Sequence, residues 1–157
     1  AQAGIYDHYC IKKMPLKEKM FGIFEHRVLN RKIPLVRGFD DIFYAPHSRH
    51  TTVSKDDILK HPDLLILAES DEAGVFIVME KEGRQIFVTG HPEYDRITLD
   101  KEYRRDKARG LNIKLPKNYY PDGNIDERPY LTWRAHSNAL YTNWLNYYVY
   151  QVTPYEL

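Results

Sequence analysis

Gln85-Ile86-Phe87-Val88-Thr89-Gly90-His91-Pro92-Glu93 is the stretch on which the fold turns. A short strand-forming run meets a glycine, and His-Pro-Glu follows at once. In α/β folds ligands bind beyond the carboxyl ends of strands, so His91 stands where a reacting group stands. Glu93, two residues on, can hold the imidazole in one tautomer and stabilise its charged form, with Pro92 fixing the backbone between them. A surface turn that merely contains a histidine is the competing reading. The stretch by itself leaves both open.

Working outward, residues 64–69 and 74–81 read as two more strands, and Glu82-Gly83-Arg84 as the hairpin into residues 85–89. Residues 21–29 are rich in aromatic and β-branched side chains and predict a strand, with a turn at Asn30-Arg31-Lys32. Residues 43–53 are extended at both ends, and Pro46 in their middle makes them an edge strand or a kinked loop. Ser54 with Asp56 and Asp57 predicts a short capped helix through Lys60. A charged helix is expected over 95–109, closed by Gly110, then a proline-rich loop over 115–129. A long amphipathic helix is expected over 130–150, with Leu131, Ala135, Ala139, Leu140, Trp144, Tyr147 and Tyr148 facing the sheet. At the other end, Ile5, Tyr6, Tyr9 and Cys10 share one helical face, and with nothing ahead of Ala1 to cap it the helix reads as starting upstream. One α/β unit spans residues 1–157.

The 157 residues are enough for one core. The 23 basic and 22 acidic residues leave a net charge of +1, which argues against a basic nucleic-acid binder. No apolar run approaches the ~20 residues that span a bilayer, so no membrane partner is expected. The single cysteine excludes an internal disulfide framework and a multi-cysteine zinc site, and it fits a reducing, cytoplasmic setting.

Beyond His91 and Glu93, the segment Tyr44-Ala45-Pro46-His47-Ser48-Arg49-His50-Thr51 is crowded with donors suited to a small polar substrate. His47 and His50 could share a metal, but no third ligand accompanies them, so no metal is expected. Arg104 and Arg105 are either a solvated helix face or a bidentate clamp for a carboxylate, and Lys19 is equally ambiguous. The tyrosines, 13 in all, are best explained by packing of the terminal helix. Cys10, on an apolar face between Tyr9 and Ile11, reads as buried and inert. A histidine with an orienting carboxylate but no nucleophile is two thirds of a triad.

Together the segments Ala1-Gln2-Ala3-Gly4, Lys19-Met20-Phe21-Gly22, Arg37-Gly38-Phe39-Asp40-Asp41, Pro46-His47-Ser48-Arg49-His50-Thr51 and Gly90-His91-Pro92-Glu93-Tyr94-Asp95 resemble the homoserine O-acyltransferase (homoserine transsuccinylase) family of methionine biosynthesis, in order and over the whole chain. The resemblance implies a flavodoxin-like, class I glutamine amidotransferase-like three-layer sandwich with a Cys-His-Glu triad. It also implies that this chain is the C-terminal half, the nucleophilic cysteine lying in a segment directly before Ala1. Cys10 then stands where relatives commonly have glycine. By the same resemblance His91 is the general base and Glu93 its orienter. Arg105 binds the homoserine carboxylate, while Lys19 and Ser48 contact substrate. The implied substrates are L-homoserine and an acyl-CoA, with acetyl-CoA favoured and succinyl-CoA left open, and the resemblance implies no separate cofactor and a homodimeric enzyme. A glutaminase domain of a class I amidotransferase shares the His-x-Glu pair but leaves the 47–50 segment and Arg105 without a task. A non-catalytic binding domain is the third possibility.

Overall fold

The computed structural model describes residues 1–151 and 153. Its centre is a five-stranded sheet in the order β2-β1-β3-β4-β5, with every neighbouring pair antiparallel. The strands are β1 (Lys13–Val28), β2 (Ile42–Val53), β3 (Leu64–Ser70), β4 (Gly74–Glu80) and β5 (Ile86–Val88). β3 and β4 read as unbroken apolar runs because both of their faces are covered. On one face lie α1 (Gln2–Tyr9) and α2 (Lys55–Leu59), whose Ile5 and Ile58 pack on Leu64, Ile66, Val75 and Val78. On the other, Leu140 of α4 (Arg134–Trp144) closes a cluster with Leu67, Phe76, Ile77 and Met79. Helices on both faces of a sheet make this an α/β, three-layer arrangement, as expected from the sequence.

A third cluster lies beside the sheet, beneath α3 (Thr98–Ala108). There Leu99 meets Phe21, Ile23, Tyr119, Tyr120 and Trp133. Gly22 brings this layer close: a Cβ there would stand 2.3 Å from the Lys117 backbone nitrogen, and the residue adopts φ +140°. Only glycine lets the 111–120 segment bond to β1 on both sides, Lys117 N–H to the Phe21 carbonyl and Ile23 N–H to the Lys117 carbonyl.

Several expectations change. β1 begins eight residues before Phe21, because the charged stretch from Lys13 is recruited by pairing with the far end of β2, which hydropathy does not register. Between the pairs Pro15–Thr51 and Met20–Arg49, β1 advances five residues while β2 advances two, so the residues around Lys19 bulge from the ladder. The 43–53 stretch is a continuous edge strand. Pro46 is tolerated because its missing N–H falls on the side without a ladder partner. The final helix is shorter than expected, ending at Trp144 in one turn of π-helix, Leu145–Val149. Its inward face is Trp133, Ser137, Leu140 and Asn143, and Trp144 is exposed. Asn143 deceives the hydropathy pattern because its buried amide donates to the Leu35 and Arg37 carbonyls. Tyr119 and Tyr120 pack under α3 rather than on the terminal helix. Cys10 is exposed, correcting its buried reading: the helix ends at Tyr9, and Cys10 caps it at φ 57°, turned off the apolar face. That left-handed position favours glycine. Among the described residues no helix is long and apolar enough to cross a membrane.

Candidate active site

β4 and β5 lead the chain to Gly90, and the first residue beyond is His91. Its Nδ1 lies 2.8 Å from Glu93 Oε1, so the two-residue spacing does close into a hydrogen bond. With Glu93 ionised as acceptor, Nδ1 carries the proton and Nε2 is left as the basic nitrogen. Burial raises the Glu93 pKa, but the bond from His91 and one from its own backbone N–H outweigh that and hold it below the usual value. The His91 backbone N–H donates to the Pro46 carbonyl at 2.8 Å. Proline at an edge position thus supports the site: the carbonyl that has no strand partner becomes the hook for His91.

The His91 ring stacks on Tyr94, centroids 4.4 Å apart and planes 13° from parallel. Tyr94 leads away from the histidine, its hydroxyl donating to Glu102 Oε1 at 2.8 Å. Glu102 Oε2 accepts from Ser48 Oγ at 2.5 Å and from Lys19 Nζ at 3.4 Å. Lys19 also reaches Asp106 Oδ2 at 3.3 Å, and Asp106 Oδ1 accepts from Arg105 Nε at 2.8 Å. Burial raises the Glu102 pKa, yet Ser48, Tyr94 and Lys19 together hold it below the ordinary carboxylate value. Arg105 keeps half of its side chain exposed. Four cationic or hydroxylic groups and two carboxylates therefore line one polar patch beside the His91 ring.

Of the residues singled out from the sequence the structure brings five together: His91 and Glu93 on the loop after β5, Lys19 in the β1 bulge, Ser48 on β2 and Arg105 on α3. It also separates some. Arg104 faces away, its Nε bound to Asp100 at 2.9 Å. Strand alternation puts His47 and His50 on opposite faces, His47 buried and His50 exposed. Among the described residues no three potential ligands cluster as a metal site. Sequence reasoning missed Glu102, Asp106 and Tyr94. A signal existed for the first two: Leu99, Glu102 and Asp106 recur at helical spacing, which places two carboxylates on the inward stripe of α3.

Comparison with known proteins gives the chain its family and fold relatives. The family model described as homoserine O-succinyltransferase matches residues 1–155. The homoserine O-acetyltransferase of Lachnoclostridium phytofermentans is 72% identical over the whole of this chain and 52% of its own length. That of Agathobacter rectalis is 67% identical over 99% of this chain and 50% of its own. The chain thus spans about half the length of the curated relatives it matches. In fold it is similar to a glutamine amidotransferase from Thermotoga maritima (TM-score 0.56, 11% identity, 85% of this chain and 53% of that one). A glutamine amidotransferase from Methylobacillus flagellatus gives a TM-score of 0.55 at 10% identity, over 85% of this chain and 55% of that one. These two show that the amidotransferase-like fold was rightly expected. By the family match and the identities, the chain belongs to the homoserine O-succinyltransferase family.

Proposed function

We propose that this chain supplies the base and the acceptor-binding wall of an enzyme that moves an acyl group from an acyl-CoA to the hydroxyl of L-homoserine. The observation that carries the reading is the continuity from the His91–Glu93 pair, through Tyr94, to the patch of Lys19, Ser48, Glu102 and Arg105. A zwitterionic amino acid needs a cation for its carboxylate and an anion for its ammonium. Arg105, half exposed, meets the first need and Glu102 the second. The substrate's side-chain hydroxyl then extends toward the basic Nε2 of His91.

The chemistry runs as a double displacement. His91 Nε2 takes the proton of a cysteine thiol contributed by the part of the protein outside this sequence. The resulting thiolate attacks the thioester carbonyl, and the imidazolium returns that proton to the departing coenzyme A sulfur. The homoserine oxygen then attacks the acyl-cysteine while His91 Nε2 takes its proton, and the expelled thiolate recovers a proton from the imidazolium. Glu93 stabilises that imidazolium. A hydroxyl whose pKa lies far above neutrality requires such a positioned base. Acetyl-CoA is the preferred donor in this reading, supported by the names of the relatives at 72% and 67% identity, whereas the family model carries the succinyl name. Methionine biosynthesis, a cytoplasmic setting and a homodimer follow from the same reading.

The test uses the complete protein with acetyl-CoA or succinyl-CoA and homoserine, alongside glutamine as the alternative substrate. O-acetylhomoserine formation and an acyl-cysteine adduct by mass spectrometry are expected. Glutamine hydrolysis with no acyl transfer would replace this reading with that of a glutaminase.

A further inference from the structure

Beneath the site lies a buried chain of polar groups that the proposed reaction does not use. His26 on β1 and His47 on β2 are both fully buried and face each other through their Nε2 atoms at 3.0 Å. His26 Nδ1 lies 2.9 Å from the Phe24 carbonyl, and Arg49 Nε lies 3.3 Å from His47 Nδ1. The ends of this chain have fixed roles: a carbonyl only accepts, and a guanidinium N–H only donates. His26 Nδ1 must therefore carry a proton and His47 Nδ1 must be bare. Between two neutral rings this leaves one arrangement, in which His47 Nε2–H donates to His26 Nε2. Adding a proton to either ring sets two donors face to face somewhere along the chain. Burial, followed for His47 by the charges of His26, Arg49 and His91, acts in the same direction: it pushes His26 down to about 4 and His47 well below its ordinary value.

The chain is also in mechanical contact with the catalytic loop. A Cβ built on Gly90 would stand 2.7 Å from Phe76 Cε2, 2.8 Å from the Pro46 oxygen and 3.0 Å from His47 Cε1. The residue before His91 thus rests directly on the His47 ring. The residue before His47 offers the carbonyl that holds the His91 N–H. Phe24 and Phe76 clamp the His47 ring, and Phe43 and Phe76 clamp His26. Arg49, the outer anchor, is itself fixed to the Thr51 and Ala73 carbonyls, which ties β2 to the turn before β4.

We propose that the buried His26–His47 pair, locked between the Phe24 carbonyl and Arg49 in a single proton arrangement, is a positioning device that sets the height and direction of His91. His47 and His26 are positioning residues: they touch no substrate and act through Gly90 and Pro46. The assignment of His91 as base rests on the reading given above, whereas the mechanical coupling does not.

The test is made on the complete protein, with 15N-labelled histidine and in parallel with kinetics. His47→Phe keeps a ring in the seat but removes both hydrogen bonds. The His91 Nδ1–H resonance, shifted downfield by Glu93, is expected to move or broaden. kcat is expected to fall about tenfold or more, with KM for homoserine and acyl-CoA within about twofold, since small misplacements of a reacting group act on turnover. His26→Gln, which alters the far end of the chain and leaves His47 and its bond from Arg49 in place, should give the same pattern more weakly, and it decides the matter if His47→Phe does not fold. Ile58→Ala, a core truncation under α2, controls for lost stability and should leave the His91 resonance and kcat unchanged. A folded His47→Phe or His26→Gln protein with an unmoved His91 signal and wild-type kcat overturns the proposal, as does an equal disturbance from Ile58→Ala. A moved His91 signal in a protein that does not acylate homoserine keeps the positioning device and rejects the reaction.

Discussion

The two halves of the site are built in opposite ways. The His91–Glu93 arm is local: two residues apart, a proline between them, a hydrogen bond of 2.8 Å. The polar patch gathers Lys19, Ser48, Glu102, Arg105 and Asp106 from a strand bulge, an edge strand and a helix, with bonded partners up to 87 positions apart in the sequence. A local arm survives small shifts of the scaffold because its geometry is set by a few backbone torsions. The patch depends on the docking of α3 against β1 and β2. Tyr94 touches both, through its ring on His91 and its hydroxyl on Glu102.

This contrast can be broken at its strongest point by His91→Ala in the complete protein. A drop of roughly a thousandfold in kcat is expected, within the usual range for a positioned acid–base group. Near-normal turnover would remove the arm from the mechanism altogether. Next in size is the acid response of the ground on which the arm stands. His26 is held at about 4, so the folded protein binds fewer protons than the unfolded chain between that value and 6.5. Its contribution is complete above pH 6.5 and is lost as pH falls toward 4, on the order of 3 kcal/mol. Denaturant titrations at pH 7, 5.5 and 4 should show a steeper acid loss in the native protein than in His26→Phe. Parallel pH dependences would mean that His26 is protonated in the fold.

Arg105→Ala should act on the patch alone. Homoserine use is expected to weaken roughly ten- to a hundredfold, the worth of a hydrogen bond to a charged group, while acyl-enzyme formation from acyl-CoA persists. Collapse of the acylation burst would show that Arg105 is no homoserine clamp. The smallest effect probes the link itself. Tyr94→Phe keeps the ring against His91 and removes only the hydroxyl. KM for homoserine should rise about fivefold, near 1 kcal/mol, with kcat almost unaltered. A fall in kcat with constant KM would place the tyrosine hydroxyl in the arm instead of the patch.

These differences also mark what could be read from the chain unaided. The strand running into Gly90-His91-Pro92-Glu93 is legible because strand, turn and side-chain spacing are all short-range, and Ser54 as a cap over Asp57 is legible for the same reason. Lys19 and Arg105 were undecided on local grounds, since a lysine or arginine in a charged run looks the same whether it faces solvent or a cleft. Cys10 departs from the face its spacing predicts because its own left-handed conformation at the helix end turns the side chain away.

By itself the sequence determined the α/β class, the apolar central strands, the His-x-Glu pair and the kinship carried by its five motifs. Tertiary structure alone decided that β1 bulges at Lys19, that Glu102 and Asp106 turn inward, and that two buried histidines lie bonded to each other beneath the loop that carries His91. The physical reason is one of range. Periodicity and turn chemistry are fixed by torsions a few residues apart. Which buried polar group finds a partner depends on how strands 21 residues apart and helices beyond them close on one another.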